Sequence, residues 1–216
     1  APKVFFSSRG VDTKEFFPQS PVASLVQEFD LKPETKVILT VANLVPLKGI
    51  EVLFKALEDL KKETSDDIRV IVVGDDTNSY AQELKGLAKK LPVPVIFTGK
   101  RMDVSSFHTI SSIFVFPSFK EGSPVSFLEA MASGTYALGS DIPGIRDLLK
   151  DLPHQLFPKG DSERLKVKIH EALAFTKEEM NEKVNQQLEV IKNAGHLPTL
   201  EQPAKTTEVL KTWLMN

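Results

Sequence analysis

The stretch Ile113-Phe114-Val115-Phe116-Pro117-Ser118-Phe119-Lys120-Glu121-Gly122-Ser123-Pro124-Val125-Ser126-Phe127-Leu128-Glu129-Ala130-Met131-Ala132-Ser133-Gly134 contains a complete strand, loop and helix. The run Ile113–Phe116 is short, apolar and closed by Pro117, as a buried strand is. Ser123 reads as an N-cap with Pro124 in the first helical position, and Gly134 as the stop just past the last turn. Between them Val125, Phe127, Leu128, Ala130, Met131 and Ala132 leave little room for a solvated stripe, so the helix belongs to a core. An ionised carboxylate on such a helix is costly unless it faces a polar cleft or a partner, which singles out Glu129. Glu129 shares a face with Val125 and Ser126, and its side chain tilts back toward the helix start. There the first amides lack intrahelical acceptors and carry the positive end of the dipole. Free amide donors suit an anion and carboxylates suit hydroxyl groups; a sugar joined to a phosphate offers both.

Outward from this unit, short β-branched runs alternate with helical spacing. Val37–Val41 reads as a strand, Gly49–Glu63 as a helix, Val70–Val73 as a strand and Tyr80–Leu91 as a helix. Val93–Phe97 reads as a strand, Val104–Ile110 as a short helix, Tyr136–Gly139 as a strand and Ile145–Leu149 as a helix. Lys3–Phe6 reads as a strand at the start, and His154–Phe157 as a last strand. From about residue 161 the pattern is helical only. This alternation predicts an α/β fold: a doubly wound parallel sheet with helices on both faces and a helical C-terminal tail. One domain over 1–216 is expected, with an α/β core over about 1–160.

Composition narrows the function. The 216 residues are 41% hydrophobic with a net charge of -2 and no long basic run, so nucleic acid is not an expected partner. With no cysteine, disulfides, thiolate metal sites and a cysteine nucleophile are excluded, and a reducing compartment fits. His108, His154, His170 and His196 show no ligand spacing and read as helix-face or loop histidines. Neither phosphate-loop nor G-x-G-x-x-G nor nucleophile-elbow patterns occur. In doubly wound sheets ligands bind beyond the carboxyl ends of the strands. Asn43, Lys48, Gly74, Asp75, Gly99, Lys100, Arg101, Ser118 to Ser126, Asp141 and Gly144 all follow strands. Taken alone, Lys48 reads equally as an anion-binding or a solvated loop lysine, Lys100-Arg101 as a surface pair, and Glu121 as an exposed loop carboxylate.

Val115–Gly134, with glutamates at Glu121 and Glu129, resembles the E-x7-E signature of family 4 glycosyltransferases, retaining enzymes of the GT-B fold. Arg9–Pro18 is similar to the family's N-G-V-D-x-x-x-F-x-P segment, and Val41–Gly49 to its G-R-L-x-x-x-K-G segment. Val72–Asp75 and Ser140–Gly144 fit in the same order. The match covers roughly residues 3 to 150. The resemblance implies the Rossmann-like second half of a GT-B fold. It implies that Glu129 bonds the ribose of a nucleotide diphosphate sugar and Glu121 the hydroxyls of the donor sugar. Backbone amides from Gly122 through Ser123, Pro124, Val125 and Ser126 would hold sugar and diphosphate. Lys48 would bind the diphosphate and Lys100 and Arg101 would lie near the base. Asn43 stands where the family has arginine and Ala42 where it has glycine, so one diphosphate charge is missing. Such enzymes are typically metal-independent, and no cofactor is expected.

The resemblance further implies an absent N-terminal acceptor domain, in cis or as a separate chain in trans. It implies sugar transfer in glycan or glycolipid synthesis, a cytoplasmic location, and peripheral association with the cytoplasmic face of a membrane through that domain. The chain alone is expected to be inactive, with Trp213 near the C-terminus either packing on this domain or crossing to the first. A non-catalytic nucleotide-sugar or protein-binding module is the rival that Asn43 keeps open. Epimerase and phosphorylase readings lack their histidine, acidic and cofactor-lysine sets.

Overall fold

A computed structural model of the chain describes residues 10–64 and 66–194. The strand expected at Lys3–Phe6 and the segment containing Trp213 lie outside the described residues.

Six strands form one sheet: β1 (Lys36–Val41), β2 (Ile68–Val73), β3 (Val95–Phe97), β4 (Ile113–Phe116), β5 (Tyr136–Ser140) and β6 (Leu156–Phe157). Every pairing is parallel and the order is β3-β2-β1-β4-β5-β6. The order reverses between β1 and β4, where Ile38 faces Ile113. Helices α1 (Ala23–Glu28), α2 (Ile50–Glu63), α3 (Ser79–Ala88), α4 (Val104–Thr109), α5 (Val125–Ala132), α6 (Pro143–Leu148), α7 (Ser162–Leu173) and α8 (Lys177–Ala194) cover both faces.

The period-two direction of strand side chains splits the core in two. Ile38, Val70, Val72, Ile113, Val115 and Leu138 face α2, α3 and α7. Val37, Leu39, Ile71, Val73, Phe114 and Phe116 face α1, α4, α5, α6 and α8. The α/β doubly wound, Rossmann-like expectation holds, and among the described residues two helices follow Asp161.

Element ends differ from the sequence reading for local reasons. Strand β3 begins at Val95 rather than Val93. Pro94 has no N–H to donate, and only its carbonyl joins the ladder, accepting from Val70 N. Helix α3 starts at Ser79, capped by the Asn78 side chain on Ala81 N, and ends at Ala88. Beyond it the chain tightens into i to i+3 bonds ahead of Pro92. Helix α5 starts at Val125, with Pro124 as its N-cap residue and no side-chain cap. The expectation of a Ser123 cap and Pro124 inside the helix is therefore corrected. Val125 N–H bonds back to the Ser123 carbonyl, and the Ser123 hydroxyl is buried without a partner among the described residues.

Two buried amides close the outer edge of β5. Strand β6 pairs only with Gly139 and Ser140, so Ala137 lacks a strand neighbour on that side. Gln187 of α8 accepts from Ala137 N and donates to Met131 O and Thr135 O, while Gln155 donates to Ala137 O and to Gln187. Both side chains are fully buried, and the bonds meet the needs of strand groups that water does not reach.

Candidate functional site

A cleft of about 420 Å³ opens beyond the carboxyl ends of β1 to β4, at the point where the strand order reverses. Its walls come from four connections, and the one after β1 meets those after β2 and β4 at backbone distance. A Cβ on Gly74 would lie 1.9 Å from Ala42 O, and one on Gly49 (φ +63°) would lie 2.2 Å from Pro117 O. Phe119 N–H bonds Leu47 O at 2.9 Å. The loop after β1 is thereby fastened to the loop after β4.

That fastening sets Lys48 against Glu121. Lys48 ends a 3-10 turn, Pro46–Lys48, and Gly49 turns the chain into α2. Its ammonium forms an ion pair with Glu121 Oε1 and stands 5.8 Å from the Phe116 ring centre. Ser118 Oγ donates to the same carboxylate oxygen at 3.1 Å. Glu121 is thus not the exposed loop carboxylate of the local reading, and the anion beside Lys48 is one of the chain's own.

Helix α5 points its amino end into the cleft. Pro124 has no N–H and the Val125 N–H is taken, which leaves the amides of Gly122, Ser123 and Ser126 without acceptors among the described residues. Gly122 has open space where a Cβ would go. One turn in, Glu129 lines the cleft. Burial pushes its carboxyl above the ordinary carboxylate range, and the charge of Glu15 adds in the same sense. No hydrogen bond or ion pair reaches it among the described residues.

Asn43 is exposed on the rim, its side chain without a hydrogen bond among the described residues and its carbonyl accepting from Val45 N. Lys100 is exposed beside Asp75, whose carboxyl is held low by hydrogen bonds from Thr77 and by that lysine. Arg101 borders the cleft, but its guanidinium is committed elsewhere. It bonds Asp103 through Nε and Nη2 at 2.9 Å each, bonds Glu28 of α1 through Nη1 at 2.9 Å, and lies 4.9 Å from the Phe107 ring centre. Asp141 and Gly144 sit at the same sheet edge outside the cleft, Asp141 bonded by Arg146.

Glu28 and Ser118 as partners of site residues were not anticipated. Glu28 stands 73 positions from Arg101 with no local signal, whereas Ser118 lies three residues before Glu121 in the same loop. The histidine reading holds for His108, a buried α4 residue against Phe16 and Phe114 whose pKa burial pushes down to about 3. His196 lies outside the described residues. Among the described residues no three His, Cys, Asp or Glu side chains converge as a metal site would require. Among them also no helix is long and apolar enough to cross a membrane.

A model of the family described as "Glycosyl transferases group 1" matches residues 23–189. The N,N'-diacetylbacillosaminyl-diphospho-undecaprenol alpha-1,3-N-acetylgalactosaminyltransferase of Campylobacter jejuni is 30% identical over 158 residues, 70% of this chain and 40% of that protein. A glycosyltransferase of Rickettsia africae superposes with a TM-score of 0.86 at 21% identity, over 99% of this chain and 58% of that one. HepE of Anabaena, solved in complex with UDP and glucose, superposes with a TM-score of 0.79 at 21% identity, over 94% and 55%. The chain spans 30–40% of the length of the curated relatives it matches.

Proposed function

The chain belongs to the glycosyl transferases of group 1, and we propose that it is the donor-binding half of a retaining, family 4 glycosyltransferase of the E-x7-E kind. The observation that carries this reading is the convergence of Lys48, Glu121, the unbonded amides of α5 and Glu129 in one cleft at the sheet's reversal point. In this reading Glu129 accepts from the ribose hydroxyls, and Glu121 accepts from the donor sugar. Lys48 and the amides of Gly122, Ser123 and Ser126 hold the diphosphate and stabilise the charge that grows on it as the sugar leaves. The donor is a nucleotide diphosphate sugar, with no metal or cofactor required. Arg101 shapes the loop near the base rather than touching the donor, and Lys100 is the cation of that loop left free to do so.

The acceptor is presented by a second Rossmann-like half, in the same chain or another. The relative from Campylobacter carries a lipid-linked diphosphate in its name, which supports glycolipid or glycan synthesis at a membrane surface. A second reading, binding without turnover, is favoured by Asn43 alone, which brings no charge to the diphosphate.

Isothermal titration of the chain with uridine, guanosine and adenosine diphosphates and their sugars tests donor binding; no heat at millimolar ligand, about 4 kcal/mol, counts against it. Glu129→Gln sharpens the test. The native state resists ionising Glu129 whereas the unfolded chain does not, so stability falls as pH rises from the ordinary carboxylate pKa through the raised one. Glutamine removes that loss. We expect a higher Tm than wild type at pH 7, a gain that vanishes at acid pH, and weaker binding of plain nucleoside diphosphate. A lower Tm with unchanged affinity would assign Glu129 to packing instead.

A further inference from the structure

Among the described residues the cations lining the cleft are Lys48, Lys100 and Arg101, and of these Lys100 alone is without an ion pair, exposed beside Asp75 in the loop after β3. Asn43 supplies no charge, the guanidinium of Arg101 is divided between Glu28 and Asp103, and Lys48 is already paired with Glu121. That last pair is well shielded, with the two side chains 21% and 9% exposed. Ser118, itself buried, holds the same carboxylate oxygen, so Glu121 is fixed where it meets Lys48. Its other oxygen has no hydrogen bond among the described residues. Water screens such a pair less than it would a surface pair, and separating it is correspondingly unfavourable.

We propose that Glu121 is the internal counter-ion of Lys48 and competes with the nucleoside diphosphate for it, so that the site discriminates the sugar-bearing donor from its own product. The inference rests on the donor-site reading above. Binding of a diphosphate draws the Lys48 ammonium from carboxylate to phosphate and leaves Glu121 short of its cation. When a sugar is attached, its hydroxyls donate to the freed carboxylate and offset that loss. When the sugar has gone, nothing does, and Glu121 reclaims Lys48 as the nucleoside diphosphate departs. An anion placed beside a phosphate site is otherwise a plain liability, since like charges repel.

The test is a titration cycle on the 216-residue chain with wild type, Glu121→Gln, Lys48→Met and the double variant. The ligands are whichever of uridine, guanosine and adenosine diphosphate binds wild type best, and its hexose conjugate. Glutamine keeps an acceptor for Ser118 but loses the charge. Glu121→Gln is expected to tighten the nucleoside diphosphate by about three- to tenfold without tightening the sugar donor, and to give no gain in the Lys48→Met background. Glu121→Asp keeps the charge but shortens the reach to Lys48. It is expected to shift affinity in the same direction, which keeps the test open if glutamine unfolds the site. Unchanged or weaker binding of nucleoside diphosphate by Glu121→Gln overturns the inference. So does a gain that persists with Lys48→Met, since that is simple repulsion. If wild type binds nucleoside diphosphate and the variants show no gain, this inference alone falls. If none of the four proteins binds any nucleoside diphosphate, the donor-site reading falls and the inference with it.

Discussion

Gln187→Leu should lower the folding free energy by about 3–5 kcal/mol. The leucine fits a site that is fully buried, but it strands Ala137 N–H and Thr135 O, leaves Met131 O to its backbone donor Gly134 N–H, and takes one acceptor from Gln155. An unmet buried polar group costs about 1–3 kcal/mol, and several are created at once, offset in part by the apolar area gained. Urea unfolding measures the loss directly. The neighbouring Gln186→Leu is the control. Gln186 is exposed on the same helix and among the described residues bonds only Glu182, so its replacement should stay within about 0.5 kcal/mol. Equal losses at the two positions would mean that helix propensity or surface polarity, not the edge closure, governs α8.

Gly49→Ala should be a severely damaging single methyl beside the site, at about 2–4 kcal/mol. A side chain is disfavoured at φ +63°, and the added carbon would sit 2.2 Å from the Pro117 carbonyl oxygen. Since that oxygen belongs to backbone, relief requires the loop after β4 to retreat from the loop after β1. Lys48 and Glu121 sit on those two loops, one residue before the glycine and four after the proline. Nucleotide binding should therefore collapse together with stability. Gly122→Ala isolates the ligand's share, because no atom lies within 4 Å of its added carbon. It should leave Tm unchanged and weaken donor binding, as expected if the diphosphate or sugar runs close to that backbone. A Gly49→Ala protein of wild-type stability would show that the two loops separate freely.

The alternation of apolar runs with helical spacing was enough to anticipate a parallel doubly wound sheet, since the central strands β1, β2 and β4 are buried along most of their length and read as nearly continuous Val, Ile, Leu and Phe. The gathering of Lys48, Glu121, Gly122 and Glu129 at one sheet edge was also legible, because topology alone puts loops after strands at that edge. What remained hidden was which charged group faces which. The Lys48–Glu121 pair joins residues 73 positions apart, and the fork of Arg101 reaches Glu28 on a helix whose six residues carry no pattern of their own. The start of α5 misled for a different reason. Ser-Pro before an apolar helix is a sound cap signal, but Val125 N–H found the Ser123 carbonyl instead. Nothing in the sequence singles out Gln155 and Gln187, because apart from each other their partners are backbone groups, which have no letter in a sequence.

The seam between β1 and β4 bears on how the protein acquires its shape. Strands β1, β2 and β3 join through consecutive crossovers and can associate as soon as they exist. The free edge of β1 must wait for β4, whose Ser112 neighbour meets Val37 across 75 positions. Closing so large a loop is slow and entropically opposed. The cleft straddles that seam, so it is assembled in the step that unites the two half-sheets. A ligand seated there binds the united form alone and draws the chain toward it by mass action, by about 2.7 kcal/mol when present at a hundred times its dissociation constant. Small molecules that fit the cleft should thus act as folding aids, raising the melting temperature by an amount set by their concentration relative to their dissociation constant.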